Sequence, residues 1–179
     1  MNWNKALSLA AAVAALSVGC ITHHYGDARL QKNSDLVSIT ADRFSLKSIP
    51  LDTSATHTLR VRDLPFALYP THVLIPITPE EAEMKGDFPW EQVQLRIELR
   101  APDGQTFFSN QIALAGAERG RSPGTYHQVD VQFRQPSSRP WRPPEDMPHF
   151  TSYDAVITVL QPSKNPKHRA ALYADTYVK

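Results

Sequence analysis

Apolar and polar residues alternate along much of this chain. Val93, Leu95, Ile97 and Leu99 are interleaved with Gln92, Gln94, Arg96, Glu98 and Arg100. A period of two sends one set to a core and the other to water, which predicts a strand. Asp103-Gly104 follows, a dipeptide that tolerates positive φ, and Phe107 and Phe108 lead a return strand toward Ile112, so a hairpin is expected. Val129, Val131 and Phe133 repeat the alternation, as do Leu59 and Val61. Val37 and Ile39, then Phe44 and Leu46, predict two more strands divided near Ala41-Asp42. Val73 to Ile77 is a β-branched run between Pro70 and Pro79, and Tyr153 to Leu160 reads as the most buried strand. The stretch Arg169 to Val178 gives mixed signals. Asn165-Pro166 and Ala170-Ala171-Leu172 favour a helix, whereas Thr176-Tyr177-Val178 favours a strand. We read a strand that returns through a hairpin loop at 161–166 to pair with Tyr153–Leu160.

One helix is predicted. Thr78 suits an N-cap, Pro79 the first helical position, and Glu81 completes a capping box. Lys85 complements the C-terminal dipole and Gly86 offers a left-handed exit, for a helix of about two turns. Seven to nine short strands, one loop helix and no βαβ alternation predict an all-β fold, an antiparallel β-sandwich. The pattern resembles an immunoglobulin-like sandwich without its disulfide, with Tyr153 in the place of the corner tyrosine.

Composition narrows the functional classes. The 179 residues carry 19 Lys and Arg against 18 Asp and Glu, a balance that argues against a nucleic-acid binder acting through bulk charge. A single Cys, at position 20, excludes a disulfide framework within one chain and any multi-Cys metal site. Ahead of it, Met1 to Lys5 holds one positive charge, and the run from Ala6 to Val18 holds none. A helix needs roughly 20 apolar residues to cross a bilayer, so this shorter run fits the apolar region of a signal peptide.

Leu16-Ser17-Val18-Gly19-Cys20 resembles the lipobox of bacterial lipoproteins. Gly19 matches well. Ser17 stands where the common pattern has Leu, and Leu16 lies one place further back. The resemblance covers only the segment that ends at Cys20. It implies cleavage before Cys20 and a diacylglycerol on its thiol, with Ile21 rather than Asp in the next position implying the outer membrane. Two or more acyl chains give stable attachment where one gives only marginal binding. The expected organisation is a signal peptide over 1–19, a tether over 20–34 and a sandwich domain over 35–179. The chain from Cys20 to Lys179 is long enough for one core.

Local signatures of chemistry are few. Gly-rich phosphate loops, G-x-S-x-G and H-E-x-x-H are absent from the sequence. His23 and His24 are neighbours that an extended chain points in opposite directions, so no metal and no cofactor are expected. Gly116 to Gly124, with Arg119 and Arg121, reads as a connection between strands rather than an anion site. His57, His72 and His127 fall in strand-like stretches. The segment 136–148 is rich in Pro and holds Arg139, Trp141 and Arg142; Phe88-Pro89-Trp90 is a second aromatic group. Trp and Arg are common in binding hot spots, so Trp90, Arg139, Trp141 and Arg142 are candidate contact residues for an envelope protein or a glycan. The alternative is that both Trp rings plug the ends of the sandwich, which the gain from burying a large aromatic favours. The functional expectation is a non-enzymatic envelope lipoprotein attached to the membrane by its N-terminal lipid. An assembly lipoprotein of a secretion machine and a periplasmic hydrolase with an unrecognised site are the rivals.

Overall fold

The structure, a computed structural model, describes residues 24–31, 43–115, 117–121, 127–132 and 148–175. In chain order the elements are β1 (His24–Tyr25), β2 (Ala28–Gln31), β3 (Arg43–Leu46), β4 (Ile49–Pro50), β5 (Thr56–Val61), β6 (His72–Ile77), α1 (Pro79–Glu83), β7 (Gln94–Arg100), β8 (Thr106–Ala113), β9 (Glu118–Arg121), β10 (His127–Gln132), β11 (Tyr153–Gln161) and β12 (Arg169–Asp175). They form two antiparallel sheets. The larger runs β1-β2-β3-β12-β6-β10-β9, with β4 also paired to β12; the smaller runs β5-β11-β7-β8.

The alternating residues meet between the sheets. Phe44, Leu46, Val73, Ile75, Val129 and Leu172 from the larger sheet pack with Leu59, Val61, Leu95, Ile97, Leu99 and Ile157 from the smaller one. The outer face of the smaller sheet is polar, with Thr56 bonded to Thr158 and ion pairs at Arg62–Asp154 and Arg100–Glu98. The fold is therefore an all-β sandwich, and the hairpin expected at Asp103-Gly104 is present, with Gly104 at φ +87°. A bulge next to Arg100 adds one residue to the returning strand. Phe107 and Phe108 consequently both pack against the core.

Several expectations change. Part of the segment read as a tether is folded: β1 and β2 make a hairpin that extends the larger sheet, and Ala28 is buried. Strands this short cannot display a period. Gly26 allows the tight turn at φ +69°, where an added Cβ would stand 2.2 Å from the Arg60 carbonyl oxygen. The turn is stitched to the smaller sheet, since Asp27 N donates to Arg60 O and Arg60 N donates to Asp27 Oδ2 at 2.9 Å. It bridges the edges of both sheets.

The C-terminal segment is a strand, but it does not pair with β11. That strand is already flanked by β5 and β7, so no ladder edge is left for it. Residues 162–168 carry the chain across, and β12 inserts between β3 and β6. The helix has its full capping box, yet it ends at Glu83 with Met84 as C-cap and no basic residue in its last turn. Gly86, at φ +76°, turns the loop beyond it rather than closing the helix. Within Gly116–Gly124, residues Glu118–Arg121 form a strand on β10. Strands expected at Val37 and Ile39 lie outside the described residues.

Candidate functional site

Three features concentrate polar or aromatic chemistry. The first begins at the capping box. Thr78 Oγ1 accepts from Glu81 N at 3.2 Å, and Thr78 N donates to Glu81 Oε2 at 2.9 Å. This holds the carboxylate inward with Oε1 directed at the loop between β11 and β12. There it accepts from Asn165 Nδ2 at 2.6 Å and meets His168 Nε2 at 3.0 Å. The other ring nitrogen, Nδ1, lies 2.7 Å from Ser163 Oγ. Ser163 Oγ also accepts from Asn165 N at 3.1 Å and donates to Pro89 O at 3.0 Å. Glu81, Ser163 and His168 are all buried.

The proton inventory is informative. A hydroxyl has one hydrogen and two lone pairs. With its hydrogen on Pro89 O and one lone pair taken by Asn165 N, Ser163 completes its set at His168 Nδ1. Burial alone raises the Glu81 carboxyl, but the Thr78 amide, the Asn165 side chain and His168 together outweigh it and hold it below its ordinary value.

A serine, a histidine and a carboxylate in contact suggest nucleophilic chemistry, yet the placement differs in kind. In acyl transfer the serine oxygen faces a substrate and the neutral imidazole removes its proton. Here Ser163 Oγ is enclosed and has all three positions engaged by protein groups. As placed, the triplet joins α1, the lead-in to β7 and the β11–β12 loop.

The second feature closes the opposite end of β11. Tyr69, Phe107, Phe150 and Tyr153 form a cluster, with Tyr69 5.6 Å from Tyr153 and 5.4 Å from Phe107, and Phe107 5.3 Å from Phe150. The Tyr153 hydroxyl donates to Leu68 O at 2.9 Å. The Tyr69 hydroxyl donates to Pro148 O and accepts from Phe150 N at 3.0 Å. Tyr153 thus ties β11 to a distant connection, unlike a corner tyrosine that bonds a few residues upstream. Its hydroxyl pKa is raised, first by burial and then by Tyr69.

The third feature is a cleft of about 460 Å³ on the outer face of the larger sheet. His24, Asp27, Arg29, Ser45, Lys47 and Tyr173 help to line it. Four of these lie in one cross-strand row, His24–Arg29–Ser45–Tyr173, which continues to His72. The His72 ring stacks on Tyr173 at 5.6 Å. Arg29 and Lys47 are exposed, and neither has an ion-pair partner among the described residues. Asp27 is the one acid in the lining, and it is bonded to the Arg60 amide.

Of the residues singled out in the sequence, Trp90 is 1% exposed. Its ring stacks on Phe88 at 5.0 Å and tilts against His168 at 6.1 Å. It plugs the end of the sandwich and offers no contact surface. Cys20, Arg139, Trp141 and Arg142 lie outside the described residues, as does His23. Among the described residues no group of three or more His, Cys, Asp and Glu is placed to hold a metal ion, and no helix is long and apolar enough to cross a membrane. Glu81 is legible in the sequence as a cap, but its partners Asn165 and His168 are not, because they come from a loop distant in the chain. The chain matches no protein-family model, no curated protein and no solved structure.

Proposed function

We propose that this chain is a lipid-anchored envelope lipoprotein whose sandwich serves as a non-enzymatic binding or structural module. The observation that carries the reading is the sole cysteine at position 20, behind Gly19 and the uncharged run from Ala6 to Val18. A thiol there becomes the N-terminal attachment point, and its lipid holds the sandwich on the periplasmic side of the outer membrane. The described body supports the module reading through what its buried polar groups do. Glu81, His168 and Ser163 bond to one another and to backbone, and Tyr153 bonds to Leu68. These groups serve cohesion between elements.

Metabolic labelling with palmitate tests the anchor. Wild-type chain takes up label and fractionates with envelopes, and Cys20→Ala does neither. Continued labelling of Cys20→Ala refutes the reading.

A further inference from the structure

We propose that the cleft beside β1 docks the sandwich, face down, onto the anionic phospholipid surface that carries its own anchor. The inference rests on the lipoprotein reading and adds an orientation to it. A free tether over 20–34 would let the body range roughly 50 Å from the bilayer, and no face would be favoured. The β1–β2 hairpin removes most of that freedom. Only residues 21–23 separate Cys20 from His24, which itself lines the cleft. Four residue steps span at most about 14 Å, so the cleft stays within that reach of the acylated residue.

Charge then adds an attraction at the face that this short link holds near the membrane. Arg29 and Lys47 project from the cleft without ion-pair partners among the described residues. The Arg169 guanidinium is held at its margin, donating from Nε to Ser48 Oγ at 3.1 Å and from Nη2 to Ser48 O at 3.0 Å. The single lining acid, Asp27, has one carboxylate oxygen taken by the Arg60 amide. Attraction between such cations and anionic headgroups decays over a Debye length of about 8 Å at physiological salt, so it operates only when the body is held this close.

The test uses the acylated protein, purified in detergent and returned to vesicles of phosphatidylcholine, with or without one-third phosphatidylglycerol. A water-soluble acetylating reagent is applied and each lysine is read by mass spectrometry. Lys47 should react about fivefold more slowly on the anionic vesicles, the effect expected per basic side chain at such a surface. Lys85, beyond α1, should react equally on both. High salt should abolish the difference in the wild type, and Arg29→Glu should reduce it. Equal Lys47 rates on the two vesicles overturn the docking while leaving the anchor intact. Protection of Lys47 in whole envelopes but not on anionic vesicles assigns the cleft to a protein or glycan partner and also overturns it. A chain that carries no acyl mass and does not float with vesicles overturns both proposals.

Discussion

At one end of β11, Tyr153 sits among Tyr69, Phe107 and Phe150, and its hydroxyl reaches Leu68 O. Just past the other end, Ser163 opens a network that runs through His168 to Glu81, with Trp90 packed alongside. Both ends must satisfy polar atoms that are out of reach of water, and they do so differently. The aromatic end buries large rings and hangs one hydroxyl from each tyrosine on backbone. The polar end brings a charged carboxylate into the fold and surrounds it with donors. The first draws its stability from area removed from water. The second depends on completeness, because one missing partner strands the rest.

The largest effect should come from Tyr153→Ala, which empties the centre of the aromatic end. Removal of a buried ring costs about 4 kcal/mol, and urea unfolding should show a loss of that size. A loss under about 1 kcal/mol would mean that the cluster collapses to fill the space, and the contrast between the ends would fail.

Glu81→Gln should cost about 3 kcal/mol, since it removes the charge that His168 and Asn165 address. Its signature is the dependence on pH. The Glu81 carboxyl is held below its unfolded value in the fold. Its contribution is therefore present above the unfolded value, about 4.3, and is lost as pH falls through the folded one. Wild type and Glu81→Gln should converge in urea titrations as the pH is lowered below that value. A constant gap across that range would show that Glu81 acts by packing alone.

Tyr153→Phe is the smallest change, at about 1 kcal/mol, because it gives up one hydrogen bond and keeps the ring. Here the pH effect has the opposite sense. The folded pKa of the hydroxyl is raised, so the neutral form is favoured in the fold. The contribution is complete below the unfolded value of about 10 and declines as pH rises above it. Wild type should lose more stability than Tyr153→Phe in that alkaline range. The polar end thus weakens in acid and the aromatic end in alkali, and equal alkaline limbs in the two proteins would erase that distinction.

Strands with a sustained period of two were legible from residues alone. Val93 to Leu99 and Val129 to Val131 announce which face is buried because burial requires that alternation. The capping box at Thr78 and Glu81 was legible too, being local in the chain. What the residues could not display was partnership. The strands at 24–25, 28–31, 49–50 and 118–121 are too short to carry a period and exist because a neighbouring edge accepts them. The pairing of residues 169–175 depended on β11 having both edges occupied, a fact about other strands. The Ser163–His168–Glu81 network combines a cap with a loop from a distant part of the chain, and neither piece is unusual by itself. Trp90 shows the converse: an aromatic beside Pro reads equally well as contact or plug until its neighbours are seen.

The position of β12 has a consequence for how the chain reaches this state. It is the last described strand, yet it lies in the middle of the larger sheet, joining Ser45 of β3 to His72 of β6 through Tyr173. Until residues 169–175 arrive, β3 and β6 have nothing between them and each presents an open ladder edge. Such contacts between distant parts of a chain make folding slow, and open edges invite pairing with other molecules. A chain that lacks this strand leaves β3 and β6 without the partner they share. A chain cut before residue 169 has two half-sheets with no seam between β3 and β6.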